Sequence, residues 1–457
     1  MIYSFPNIFS ECKRSLRLSL PLIGSQLIYG LSGFAAMVMI AHLGRDELAA
    51  NALVWSVFTF VLVTFIGILC AISVLVAQSY GAEDECGIRV AASQGLILAV
   101  LLTIPMMLVM WFAPYILIWS GQSQELIQFA TPYFHALAYC ILPCNLLIAV
   151  EQFLSGIEKT RLVLIISVAE VPLEIFFFYV LVFGKWGFPN CGMIGIAYGA
   201  TLAMLIADIV VFVYLYSAKK FKRYLHFNWR IHKKYFLELL RIGIPMGGMM
   251  GIELALFTVI ALLMGKLGND TLAAYQIVYQ CLVLVLTIIF GLSQGATVRV
   301  GYEVGAGNKN AVKVAAVTNF GLGFLYMLVI GVFYFVMPRQ IISLAVNLSD
   351  PKMRDVILYA TGFLAVVAVL QISDNFRLLG VAILRGLKDA KVPMYISIVA
   401  FWLVSFPCAY LLGFKYKFGG VGIWWGLTVG LMAAAVMLQW RFQWLIKRVR
   451  FSELITK

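Results

Sequence analysis

Five acids and one base stand deep inside long apolar runs of this sequence, away from the run ends: Glu170, Glu174, Asp208, Glu253, Asp374 and Arg377. A charged side chain in hydrocarbon costs about 2.5–3.5 kcal/mol on insertion scales, so such residues face cavities or pair with one another. One guanidinium cannot neutralise five acids. A carboxyl that takes up and releases a proton is what proton-coupled transport requires. A pair of carboxylates equally suits Na+, a hard cation that prefers oxygen ligands. Two groupings follow. Glu253 and Asp374 form the leading cation-coupling pair, with Na+ as one occupant. Glu170 and Glu174, at i and i+4 around Pro172, form a rival site with Asp208. The structural alternatives are a plain i,i+3 pair of Asp374 with Arg377, and a polar network that steadies a proline-broken helix.

The elements that must position these groups are membrane spans. The chain of 457 residues is 63% hydrophobic and 12% charged, with mean hydropathy +0.96. Ordinary soluble proteins are about 45–50% apolar and about 25% charged, so a set of soluble domains is excluded. Twelve apolar runs each approach or exceed the roughly 20 residues that cross a bilayer. They cover 17–41, 48–78, 88–114, 127–154, 162–183, 193–217, 241–264, 272–302, 311–337, 354–384, 392–412 and 420–444. The first follows Lys13 and Arg14 but is too long for a signal-peptide core of about 7–15 residues, so it reads as a retained span.

The basic balance, 34 Lys and Arg against 21 Asp and Glu, does not indicate nucleic acid, because these residues lie in short loops between spans. With the amino terminus inside, the cytoplasmic segments hold 25 of them and the outer segments eight. This bias predicts both termini in the cytoplasm and a multi-pass protein of the inner or plasma membrane. The eight Cys include no CxxC pair and read as small packing residues, with no metal centre or cofactor implied.

Glu253 lies 12 residues from Arg241 and Asp374 lies 11 from Arg385. At about 1.5 Å per residue both sit roughly 16–18 Å from the cytoplasmic helix ends, near the midplane. Met246 and Met249 share the helical face of Glu253 with Leu256 and Ile260 and suit an adaptable apolar wall. Tyr275 and Tyr279 suit cation–π contact with organic cations. Asn375 and Arg377, beside Asp374, complete the expected substrate lining. Glu151 and Glu303, near cytoplasmic helix ends, are expected to reach solvent.

The two halves repeat at an offset of 224 residues. Leu16, Arg17 and Pro21 return as Leu240, Arg241 and Pro245; Leu43-Gly44 as Leu267-Gly268; Gly67 as Gly291; Gly81-Ala82 as Gly305-Ala306. Later matches need slightly different offsets: Gly156 with Gly386, and Gly192/Gly195/Gly199 with Gly419/Gly422/Gly426. A unit of six spans gives two copies of the same orientation. The expectation is an all-α polytopic membrane protein, with twelve transmembrane helices in two pseudo-symmetric six-helix lobes around a central cavity. The lobes would be residues 1–217 and 241–457, joined by a basic cytoplasmic linker at 218–240 that suits anionic lipid heads.

Met39-Ile-Ala-His-Leu-Gly44, Leu48-Ala-Ala50, Leu272-Ala-Ala-Tyr-Gln276, Gly301-Tyr-Glu-Val-Gly-Ala-Gly307 and Asp374-Asn375 followed by Leu384-Arg-Gly-Leu-Lys-Asp389 and Pro393 carry a resemblance. In order, spacing and span context the chain resembles the multidrug and toxic compound extrusion (MATE) transporters over nearly its full length. Glu253 with Asp374 is similar to the acidic pair of the NorM-like branch. The chain departs from the family at Ala36, where members often carry an Asp, which argues against an amino-lobe mechanism built on that acid.

The resemblance implies a secondary antiporter that exports amphipathic, often cationic drugs in exchange for H+ or Na+ by rocking between two access states, working as a monomer in the lipid bilayer. A lipid-linked precursor flippase is the runner-up, but it calls for a basic cavity and the spans offer only Arg377. A polytopic membrane enzyme calls for clustered catalytic groups, which four dispersed His do not supply. No Walker motif is present, so ATP is not the direct energy source.

Overall fold

Long apolar runs propagate as helices in lipid, because every backbone N–H and C=O must find its partner within the segment. The computed structural model describes residues 5–448 apart from 120, 122, 225–229 and 349. Part of the expected linker, together with Arg450 and Lys457 of the charge count, therefore lies outside the described residues. Among the described residues all twelve expected runs are membrane-length helical spans, and no strand occurs.

The first span is α1, Phe5–Ala41. The second is broken at Cys70 into α2, Arg45–Leu69, and α3, Ala71–Gly81. Then come α4 (Glu85–Trp119), α5 (Gln124–Gly156), α6 (Thr160–Phe183) and α7 (Ile194–Ser217). The short α8, Lys219–Lys222, opens the connector. The second half holds α9 (Lys233–Lys266), α10 (Asn269–Gly305), α11 (Lys309–Val336), the short α12 (Pro338–Ser343) and α13 (Arg354–Gly386). The eleventh span is composite. It runs from α14 (Lys391–Ile398) through a π-helical turn at Val399–Ser405 and α15 (Phe406–Tyr410) to a second π-helical turn at Leu411–Lys415. The last helix is α16, Gly419–Arg448.

The repeat is visible in the caps. Asp84 accepts from the Gly87 N–H at 2.9 Å ahead of α4, and Asn308 accepts from the Ala311 N–H at 3.0 Å ahead of α11. The two caps are 224 residues apart, and each satisfies an orphan donor of a helix N-terminus.

Packing divides the described chain into two compact units. One is Gly24–Gly247; the other runs from Gly248 onward and includes α1 up to Ile23. Compactness thus follows packing and not chain order: α1 and α9 each contribute to both units. The repeated glycines explain how. In the first unit a Cβ on Gly67 would lie 2.8 Å from the Gly247 Cα, and in the second a Cβ on Gly291 would lie 2.8 Å from the Ile23 backbone nitrogen. Both glycines admit a crossing helix to backbone contact. In lipid, helix association relies on such close approach and dispersion, since no hydrophobic force acts between apolar helices.

Each unit has its own core. In the first, Val54, Met110, Tyr133, Phe134 and Phe178 pack together, and in the second Ile260, Leu282, Phe363, Phe401 and Trp424 do so.

Candidate functional site

In the first unit α1, α5, α6 and α7 bring four carboxyls together. The Tyr29 hydroxyl on α1 lies 2.6 Å from Glu151 Oε1 on α5 and 3.0 Å from Glu170 Oε2 on α6. One turn along, Ser32 donates to Glu174 Oε2 at 2.5 Å. The i,i+4 spacing of Glu170 and Glu174 puts both on one face of α6, which continues through Pro172. Glu170 feels the charges of Glu174, Glu151 and Asp208, and Asp208 on α7 feels that of Glu151. Glu170, Glu174 and Asp208 are 1%, 5% and 5% exposed. Neither oxygen of Asp208 has a hydrogen-bond partner, nor does Glu170 Oε1. Among the described residues no base pairs with any of the four acids.

Proton counting gives this arrangement chemical content. A phenol has one O–H, so Tyr29 donates to one carboxylate only. Its second contact is a hydrogen bond only when the other carboxyl carries a proton and donates to the phenol oxygen. The geometry is therefore satisfied by one proton held between Glu151 and Glu170. Glu151, expected to reach solvent, is partly exposed, and it is also held by Tyr29, a residue that the sequence alone does not single out. The repeat held the missing signal: residue 29 plus the 224 offset is 253, the position of the acid already singled out.

In the second unit Glu253 on α9 and Asp374 on α13 do converge, but on Arg377. The guanidinium makes a bidentate pair with Glu253, Nη1 to Oε2 at 3.0 Å and Nη2 to Oε1 at 2.7 Å. Its Nε donates to Asp374 Oδ1 at 2.6 Å, and Phe401 lies 5.3 Å beneath it. The expected pairing of Asp374 with Arg377 is present, and the same guanidinium holds Glu253 as well. The guanidinium stands where a cation shared by the two carboxylates would stand. Among the described residues no three His, Cys, Asp or Glu side chains form a metal-holding group.

The expected lining is mostly packed interior. Met246, Met249 and Tyr275 are buried, and Tyr275 donates to the Phe257 carbonyl at 3.2 Å while stacking on Tyr279. Tyr279 alone of the two tyrosines is partly exposed. Asn375 is fully buried with no partner for either polar atom. Leu256 and Ile260 belong to the core.

A third cluster was not foreseen. Arg299 on α10 donates through Nε and Nη2 to Glu11 on α1 at 2.8 Å each, and through Nη2 to Glu303 at 2.7 Å. Glu303 is thus buried at 6% exposure rather than solvated, and the triad ties the first half of α1 into the second unit.

Comparison with known proteins bears on this arrangement. The family model described as MatE matches residues 21–180 and 245–411. The "Probable multidrug resistance protein NorM" of Rhizobium meliloti (strain 1021) is 32% identical over 448 residues, which cover 98% of this chain and 95% of that protein. The protein so named in Mesorhizobium japonicum is 34% identical over 438 residues, covering 94% and 93%. A solved structure described as the outward-facing conformation of a multidrug resistance MATE family transporter of the MOP superfamily shares the fold. Its TM-score is 0.85 at 20% identity, covering 98% of this chain and 97% of that one.

Proposed function

The chain belongs to the MatE family, and from that premise we propose that it is a secondary active exporter of amphipathic, often cationic compounds, driven by inward protons that bind at Glu170 and Glu174. The multidrug names of relatives that match nearly its whole length support the substrate class. The observation that carries the coupling assignment is the contrast in charge between the two acidic clusters. Arg377 already neutralises one of its two carboxylates and holds both. Glu170 and Glu174 have only hydroxyl partners, Tyr29 and Ser32. Buried acids without a base must take protons or cations from outside, because isolated charges there are costly. The shared-proton geometry at Tyr29 favours H+ over Na+.

Export then requires that the protonated and the charged amino-terminal cluster differ in affinity for the drug, since only differential binding shifts the access equilibrium. A cationic drug meets up to four negative charges when the cluster is deprotonated and few when it is protonated. Inward protons would displace it on the outer side. The Glu253–Arg377–Asp374 triad carries one net negative charge and reads as a brace between α9 and α13.

Proteoliposomes with imposed gradients test the reading. Drug flux should follow a pH gradient and ignore a Na+ gradient of equal size. Flux that follows Na+ at uniform pH would return the coupling role to another ion.

A further inference from the structure

Glu151 and Asp208 lie outside the pair that the coupling reading uses, yet both are linked to it. Heights along the helices can be read from the ends that share one side of the first unit: Gly156, Thr160 and Ser217, the last leading into the connector. At about 1.5 Å per residue, Glu151 stands roughly 7–8 Å from that side, Asp208 roughly 13–14 Å, Glu170 roughly 15 Å and Glu174 roughly 21 Å. The acids thus form a graded series from the interior towards one face. Only the outermost acid of the series meets solvent. Glu170 and Glu174 are buried, and Glu151 at the end of the series is partly exposed.

The series is linked by more than proximity. Tyr29 bridges Glu170 and Glu151 through a single hydroxyl, at 3.0 and 2.6 Å. Asp208, 5% exposed with both oxygens unpartnered, and the unpartnered Glu170 Oε1 are the second indication of a ligand, because buried carboxylate oxygens rarely stay without one. Among the described residues no base offers itself; the other titratable groups close by are the thiols of Cys140 and Cys144 on α5.

We infer that Glu170, Tyr29 and Glu151, flanked by Asp208, form the route by which a proton bound at the Glu170–Glu174 pair leaves towards the connector side. This rests on the proton-coupled reading above. The transfer step is balanced. The Glu170 acid gives its proton to the Tyr29 oxygen as the Tyr29 O–H proton passes to the Glu151 carboxylate. One O–H bond breaks and one forms at tyrosine, which ends unchanged, and Glu170 becomes the carboxylate. Asp208 is a waiting acceptor beside the path, whose charge holds the departing proton close. Tyr29 is a relay residue and not part of the drug site.

The experiment compares two fluxes in proteoliposomes loaded with a pH-sensitive dye: export of a lipophilic cation driven by a pH gradient, and drug–drug counterflow at uniform pH, which needs no net proton movement. Tyr29→Phe keeps the ring and removes the relay proton; Glu151→Gln keeps volume and removes the acceptor. Each should lower the ratio of gradient-driven export to counterflow about tenfold, and Glu151→Asp should restore much of it. A wild-type ratio in Tyr29→Phe, as in Glu151→Gln if the tyrosine variant fails to insert, overturns the route. Failure of the parent reading looks different, for then wild-type protein itself shows no response to the pH gradient.

Discussion

The same helical position carries Tyr29 in one unit and Glu253 in the other, and the two units answer the problem of buried charge in opposite ways. Around Tyr29 the neighbours are acids: Glu151 and Glu170 share its hydroxyl, Glu174 takes that of Ser32 one turn along, and Asp208 nearby has no partner. Around Glu253 the neighbours are Arg377 and Asp374 in a closed ionic triad. The repeat presents one scaffold twice, with different side chains at the corresponding positions. A closed triad is inert to ions in solution unless its own bonds break. An acidic cluster without a base is unfinished until something binds. The difference teaches that the number of buried acids is a weaker guide to ion coupling than the number left without a positive partner.

The largest expected effect separates the units by function. Glu170→Gln or Glu174→Gln should reduce pH-gradient-driven export by more than about tenfold, the equivalent of 1.4 kcal/mol or more in rate terms. Glu253→Gln leaves Arg377 paired with Asp374 and should keep most of it. Dye efflux from cells producing each variant, with membrane insertion checked by blotting, measures this. Equal losses in both units would erase the comparison.

A second experiment sharpens it through stability. Arg377→Met leaves the buried Asp374 and the half-buried Glu253 facing each other without a partner and should cost about 3 kcal/mol, the lower end for a broken buried pair. Combining it with Glu253→Gln and Asp374→Asn should recover most of that loss, since a neutral set no longer repels. Thermal unfolding in detergent, followed by tryptophan fluorescence, reads both. Amino-unit substitutions such as Glu170→Gln should be neutral or stabilising in the same assay, because they remove a charge that nothing there balances.

The smallest effect concerns two asparagines that correspond at the later offset of 230 set by Gly156 and Gly386. Asn145 donates to Thr103 Oγ1 at 3.1 Å, whereas Asn375 has no partner on either atom. Asn145→Leu should cost about 1 kcal/mol, the net worth of a buried hydrogen bond, and Asn375→Leu should cost nothing or stabilise. Melting temperatures of the two variants, compared side by side, measure the difference.

The fold was legible because its determinants are local. Span length and the glycine and proline repeats can be read along the chain. The acids were legible for the same reason, as each is an isolated charge within an apolar run. Their partners were not. That Arg377 reaches Glu253 as well as Asp374 depends on where α9 meets α13, and that Glu303 is buried depends on Glu11 reaching Arg299 across 288 residues of chain. Tyr29 escaped notice because a tyrosine in a membrane span is ordinary and only its neighbours make it otherwise. The face that Met246 shares with Glu253 and the i,i+4 pairing of Tyr275 with Tyr279 suggest lining, but such positions can meet packed core as readily as a cavity, and both residues are buried.

Proton release on drug binding tests the central claim most directly. Purified protein in lightly buffered detergent solution, with a pH indicator present, is mixed with a lipophilic cation such as ethidium. If the amino-terminal cluster holds the exchangeable protons, wild-type protein and Glu253→Gln release protons on mixing, while Glu170→Gln and Glu174→Gln release markedly fewer. Release that disappears in Glu253→Gln and persists undiminished in both amino-unit variants would contradict the account and place the coupling site at the Arg377 triad.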